Sequence, residues 1–330
     1  MRAQRLAHPG PIETSPLNLE DLPDPEPGAG QVLLRVRACG VCRTDLHLVE
    51  GEVAAKRLPV TPGHQVVAEV VRGGPGTSLP VGSRVGVAWL AWACGECEYC
   101  RRGEENLCRR ARFTGLDHDG GYAEQLVAEA DFVLPLPQGL PDADAAPLLC
   151  AGIIGYRSLR RAEVAPGETV GLIGFGASAH LALPVALARG CRVYVFTRGA
   201  EHRRLAARLG ATWVGGLEEE PPSPLDRAVQ FAPSGGLVPR ILELLRPGGT
   251  LAINAIHMSP IPELSYDRLY DERSIGSVAN ATRRDGREFL QLAAELGLKP
   301  TTTSFPLADA NRALAEMKHS RLEAAAVLHP

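Results

Sequence analysis

The sequence lacks any long apolar run. Its most hydrophobic stretch, 145–156, contains Pro147 and is too short to span a bilayer. The first eleven residues lack the apolar core of a secretory leader. Charge of either sign is not in excess: 35 Lys and Arg against 38 Asp and Glu give a net charge of -3. Such a balance provides no broad attraction to nucleic acid or to an anionic membrane. No internal repeat is visible. These absences predict a cytoplasmic globular protein without nucleic-acid or membrane partners. Its 330 residues suffice for two domains with substantial cores.

What is present is chemistry in a few short stretches. The first is Gly40-Val41-Cys42-Arg43-Thr44-Asp45-Leu46-His47, which carries a thiol, a hydroxyl, a carboxylate and an imidazole within eight residues. It reads as a place where zinc meets an alcohol or carbonyl substrate. Eight cysteines occur, at 39, 42, 94, 97, 100, 108, 150 and 191. In a reducing compartment such clustering favours metal ligation over disulfides.

The first third predicts short strands at 31–37, 66–71 and 83–89 with glycine and proline turns, an irregular antiparallel β-domain. Residues 1–30 are rich in proline and acids, and Pro23, Pro25, Pro27 and Gly28 mark the loop before the first strand. Next comes Cys94-x2-Cys97-x2-Cys100-x7-Cys108, four sulfurs spaced to close a tetrahedral site around one structural zinc. A ferredoxin-like cluster is the competing reading, but the last gap is longer and no proline follows Cys108.

Around Cys150 a buried helix is expected. Beyond it, strands near 168–174, 191–196, 225–231 and 250–254 alternate with helices near 178–189, 201–209 and 238–245, which predicts a doubly wound parallel sheet. Pro184 removes one backbone hydrogen bond from the first helix and should kink it. The tail predicts helices at 287–296 and 307–318 and strands at 301–305 and 324–328. It is expected to return to the first domain. The expected division is therefore 1–151 with a lobe at 92–110, then 152–286, then 287–330.

Gly174-Phe175-Gly176-Ala177-Ser178-Ala179 fits G-x-G-x-x-G/A between a strand and a helix, so its backbone is predicted to receive a dinucleotide pyrophosphate. The acid that binds a ribose 2'-hydroxyl at the end of the second strand is missing. Thr197 and Arg198 stand there, with Arg203 and Arg204 following. Either these arginines receive the 2'-phosphate of NADP(H), or they form a solvated helix face. NADP(H) is predicted over NAD(H).

With those residues in view, the chain resembles the zinc-dependent medium-chain alcohol dehydrogenases over nearly its full length. Four motifs stand in that family's order: G-V-C-x-T-D-x-H at 40–47, G-H at 63–64, the four-cysteine lobe, and L-C-A-G around Cys150. The resemblance implies a GroES-like catalytic domain, a Rossmann domain, and two zinc ions per chain. It implies a catalytic zinc on Cys42, His64 and Cys150, with Asp45 orienting a ligand, Thr44 taking the alcohol proton and His47 delivering it onward. It further places Trp89 and Leu90 in the substrate pocket. Ile154, Asn254-Ala255 and Ser277-Val278 would flank the nicotinamide, and Phe231-Ala232 the adenosine half. Each ligand has a plainer reading: His64 as a strand terminus, Cys150 as a core thiol. Cys39-x2-Cys42 reads alternatively as a redox dithiol, though it lacks the usual flanks.

The sequence departs from the family at Gln65, where many members carry glutamate, and at Ala324-Ala325-Ala326, where many carry a glycine-arginine pair. The expected activity is reversible oxidation of a small primary alcohol to an aldehyde, by a homodimer or homotetramer. Alternatives are a zinc polyol or sugar dehydrogenase, or a non-catalytic zinc and nucleotide-binding protein. A zinc-free quinone reductase of the same fold would lack the ligand set.

Overall fold

The computed structural model describes residues 1–322 and 324–330 and divides the chain into two compact units, Met1–Ile153 with Asn280–Pro330, and Ile154–Ala279. The chain leaves the first unit at 153/154 and re-enters it at 279/280, against the 151/152 and 286/287 expected. The earlier re-entry has a local cause. The last long helix spans Arg283–Glu295, not 287–296, because Thr282 caps it. Thr282 Oγ1 accepts from the Asp285 amide at 3.1 Å, and Asp285 Oδ2 accepts from the Thr282 amide at 2.9 Å, satisfying two donors at the helix start.

The first unit is built on a seven-stranded sheet. Its path runs Thr302–Pro306, Ala325–His329, Gln31–Val41, Gln65–Gly73, Arg84–Val87 and Leu134–Pro135, with Gln125–Glu129 also paired to the long third member. All pairings are antiparallel except the one between the first two strands of that path. The Gln31–Val41 strand is longer than its hydrophobic pattern suggests, and it delivers the chain directly to Cys42. Ahead of the proline-rich loop a further strand pair forms: Arg2–Leu6 pairs antiparallel with Leu17–Asp21. Val32, Leu34, Val66, Ala68 and Val85 are fully or nearly fully buried on neighbouring strands, so the β-branched and aliphatic pattern is satisfied in one core.

The second unit is a six-stranded parallel sheet. In chain order its strands are Thr169–Ile173, Arg192–Phe196, Trp213–Gly215, Leu225–Gln230, Leu245–Ile253 and Ser274–Ser277. Their spatial order is 3-2-1-4-5-6, the doubly wound dinucleotide-binding arrangement. Thr169–Ile173 is buried at every position, as a central parallel strand covered on both faces must be. The fifth strand begins at Leu245, not 250. Its register jumps from Leu225↔Leu245 to Arg227↔Thr250, so the Pro247-Gly248-Gly249 stop is an irregularity inside the strand rather than a loop before it. The helix Ala177–Ala188 continues through Pro184 as one element. Among the described residues, no helix is long and apolar enough to cross a membrane.

One buried histidine makes this unit acid-sensitive. His180, on Ala177–Ala188, is only 4% exposed. Burial pulls its pKa down to about 4, against the opposing carbonyls of Gly176 and Ala177. The unfolded chain takes a proton near pH 6.5 that the folded protein refuses until about pH 4. The contribution is intact above the unfolded value and is lost as pH falls toward the folded one, by up to about 3 kcal/mol. Melting temperatures of the wild type are expected to fall more steeply between about pH 7 and about pH 4.5 than those of His180→Leu. Parallel curves would remove His180 as the cause.

Candidate metal and nucleotide sites

Cys42 directly follows the long strand Gln31–Val41 and caps the helix Arg43–Val49. Its amide donates to Asp45 Oδ2 at 2.9 Å, the capping-box partner three residues on. Thr44 Oγ1 lies 3.7 Å from Cys42 Sγ, and Thr44 is buried. Asp45, 2% exposed, also accepts from the Gly63 amide at 3.1 Å and faces His64 Nδ1 at 3.0 Å, both through Oδ1. Gly63 makes the turn into His64 at φ +99, and a Cβ there would lie 2.4 Å from Tyr122 Cδ1. No L side chain fits that conformation and that space together.

Cys150 arrives from a different element. It lies in a π-helical turn, Leu148–Gly152, between the helices Asp142–Pro147 and Ile153–Arg161. A π turn changes the facing of the residues it contains and recurs at functional sites. Here it sets Cys150 Sγ 4.0 Å from Cys42 Sγ. One donor atom each from Cys42, His64 and Cys150 lie within 4.8 Å of one another.

This set fits a zinc ion on chemistry and on spacing. Two sulfurs bonded tetrahedrally to one zinc at about 2.3 Å stand about 3.8 Å apart. His64 is 0% exposed, and its Nε2 has no partner of hydrogen-bond geometry among the described residues. An unpartnered buried nitrogen is costly unless a cation receives its lone pair. Asp45 on Nδ1 directs that lone pair to Nε2. Without a metal, burial drives the His64 pKa down but the Asp45 carboxylate more than offsets it, to about 10. A hydrogen bond from Cys150 holds the Cys42 thiol well below its usual range, and the Cys42 thiolate pushes Cys150 up. A bound dication requires both sulfurs as thiolates and His64 neutral at Nε2.

Trp89 stands edge-on to the His64 ring, centroids 4.8 Å apart at 72°, and stacks on Phe113 at 5.1 Å. Leu90 packs in the lobe cluster with Ala93, Cys108, Ala111 and Phe132, and its strand pairs it with Phe113, on which Trp89 stacks. His47, on Arg43–Val49, pairs through Nδ1 with Glu52 Oε2, a partner the sequence did not signal.

The second set is Cys94, Cys97, Cys100 and Cys108, again within 4.8 Å of one another. Cys94 Sγ lies 3.8 Å from Cys100 Sγ and 3.6 Å from Cys108 Sγ, and it accepts the Cys97 amide at 3.4 Å. The backbone at Glu96 and Cys97 helps draw the Cys94 pKa to about 5, and burial pushes Cys100 up to about 12. Four sulfurs at tetrahedral spacing match a closed structural zinc site with no open position.

In the nucleotide unit the C-terminal ends of five strands are Ile173, Phe196, Gln230, Ile253 and Ser277. The expected contacts Gly174, Thr197, Phe231, Asn254 and Val278 each come one residue later, so all five lie along the carboxyl edge of one sheet, with Ala232 and Ala255 next in line. Ligands of open parallel sheets bind along that edge. Gly174 has φ +87, and a Cβ there would lie 2.8 Å from the Ala232 amide. Gly176 caps the helix Ala177–Ala188, whose first-turn amides at Ala177, Ser178 and Ala179 have no earlier helical carbonyl to bond. Ile154 lies in the first turn of Ile153–Arg161. Thr197 is buried and Arg198 exposed. Arg203 donates to the Thr197 carbonyl at 2.9 Å and to Glu219 at 3.2 Å, and Arg204 pairs with Glu201. Two of the three arginines thus hold carboxylates.

Residues 28–138 match the family model described as alcohol dehydrogenase GroES-like domain. The whole chain is 49% identical to the probable alcohol dehydrogenase AdhA of Mycobacterium tuberculosis, over 99% of this chain and 97% of that protein. Among solved structures, the cobalt- and zinc-bound thermostable alcohol dehydrogenase of Pyrobaculum aerophilum superposes with a TM-score of 0.90 at 27% identity, covering 100% of this chain and 99% of that one. CAD from Helicobacter pylori, complexed with NADP(H), gives 0.87 at 25% identity, covering 100% of this chain and 99% of that one.

Proposed function

The chain belongs to the medium-chain, zinc-type alcohol dehydrogenases, and from that premise we propose that it interconverts small primary alcohols and aldehydes with NADP(H) in preference to NAD(H). The convergence of Cys42, His64 and Cys150 on one point, with His64 Nε2 aimed there and otherwise unpartnered, supports this reading most directly. Zinc held by these three supplies Lewis-acid chemistry at the substrate oxygen, and the nicotinamide supplies the hydride carrier. The rest falls to the protein's own side chains.

Asp45 fixes the tautomer and orientation of His64. Thr44 Oγ1 accepts the alcohol proton and releases its own, which His47 delivers to water. Glu52 keeps the His47 ring oriented through Nδ1. Trp89 forms an apolar wall beside the metal ligands. Gly174, Gly176, Ala177, Ser178 and Ala179 hold the pyrophosphate, and Ile154, Ala255 and Val278 border the nicotinamide. The lobe cysteines hold a second, structural zinc. The active form is a homodimer or homotetramer in the cytoplasm.

A polyol or sugar dehydrogenase is disfavoured, because Gln65 and Cys150 stand where acids would have favoured it. Two zinc ions per chain, together with turnover of ethanol, butanol or cinnamaldehyde, are the expected result. One zinc per chain and no turnover would leave a non-catalytic protein.

The cofactor choice rests on Thr197 in place of an acid and on Arg198. Arg198 is exposed, and no ion pair engages it among the described residues. With a 2'-phosphate it would form a charge-assisted contact of about 1.5–3 kcal/mol. Higher kcat/KM with NADP(H) is therefore expected, and Arg198→Ala should cut that value roughly tenfold or more while sparing NAD(H). Equal kcat/KM for the two cofactors, or a preference for NAD(H), would overturn the assignment.

A further inference from the structure

We propose that Tyr122 is a positioning residue for the Cys42–His64–Cys150 metal site, acting through Asp45. The inference rests on the zinc reading above and adds a residue that no part of that reading uses. Tyr122 is 0% exposed, and its hydroxyl donates to Asp45 Oδ2 at 3.2 Å. Asp45 is thereby held by four donors: the Cys42 amide and Tyr122 on Oδ2, the Gly63 amide and His64 Nδ1 on Oδ1. Both oxygens of the buried carboxylate are satisfied, so the group cannot rotate without breaking bonds on both sides.

The backbone around Tyr122 serves the same end. The Gly120, Gly121 and Tyr122 amides donate to the carbonyls of Thr61, Gly63 and Pro62 at 2.7, 2.9 and 3.0 Å. Two segments far apart in sequence are thus laced together over the three residues that precede His64. A Cβ at Gly120 would lie 2.1 Å from the Gly63 carbonyl oxygen, so the close approach requires glycine there. Tyr122 therefore fixes the ligand loop from two directions, through its ring against Gly63 and through its hydroxyl on Asp45. The hydroxyl is the testable half, since phenylalanine keeps the ring.

Partners behind metal ligands commonly contribute tenfold or more to metal affinity. Tyr122 acts one hydrogen bond further out, so Tyr122→Phe should weaken zinc at this site by roughly threefold to tenfold. The measurement is chelator competition on the two-zinc protein, with the four-cysteine zinc as internal reference. In an Asp45→Asn background the same substitution should change affinity by less than about twofold, because the group it acts through no longer carries a charge. Unchanged zinc affinity in Tyr122→Phe overturns the proposal, as does an equal loss in both backgrounds, which would mean that the residue acts by packing alone. A wild-type chain with a single zinc overturns both the zinc reading and this one. Normal zinc in both wild type and Tyr122→Phe overturns only this one.

Discussion

Cys150→Ala is expected to lower kcat/KM by at least about 10³-fold while the melting temperature moves by only a few degrees. The site has three protein ligands, and losing one thiolate removes a charge as well as a bond. A metal acting as a Lewis acid contributes several kcal/mol at the transition state, and each 1.36 kcal/mol is a factor of ten in rate. The structural cost is small by comparison. Cys150 occupies one turn of a helical run from Asp142 to Arg161, whose Leu148 and Leu149 side chains are already packed in the core. Truncating a thiol there leaves a gap of one sulfur atom, on the order of 1 kcal/mol. Zinc content should fall from two per chain to one. Retention of more than about a tenth of the activity would place the chemistry elsewhere.

Much of this arrangement is legible in the sequence, for identifiable reasons. Gln31–Val41 and Thr169–Ile173 read as strands because both carry runs of aliphatic residues that become buried. The four-cysteine lobe is legible because its ligands lie close in sequence. The strand pair Arg2–Leu6 and Leu17–Asp21 was hidden by the prolines between and after its members. The start of Arg283–Glu295 is written in the sequence as Thr282-x-x-Asp285, a capping box with the shorter acid at its third helical position. Tyr122 and Glu52 carried no local signal: their roles come from contacts with Asp45 and His47 that only folding creates.

Cys100→Ala should do the reverse of Cys150→Ala, lowering the melting temperature by about 10 °C or more. The lobe has little else to hold it. Its apolar cluster is limited to Leu90, Ala93, Cys108, Ala111 and Phe132 at its core, and its only helices are the short Glu98–Arg101 and Glu105–Leu107. A segment of this kind relies on its metal, and structural zinc in small peptides contributes on the order of 10 kcal/mol. The damage should spread beyond the lobe. Glu105, between Cys100 and Cys108, accepts Arg283 Nη2 at 2.7 Å and the Arg283 amide at 2.7 Å, and the Arg283 guanidinium lies 4.1 Å from the Phe132 ring centroid. Arg283 is the first residue of Arg283–Glu295, so a lobe that unfolds releases the start of the helix with which the chain re-enters the first unit. Calorimetry with a zinc count reads both effects, and limited proteolysis within 95–110 should cut the variant well before the wild type. Activity per folded molecule should fall far less than in Cys150→Ala, because no lobe cysteine belongs to the Cys42–His64–Cys150 set. If the two variants melt alike, the assignment of one site to chemistry and the other to stability is wrong.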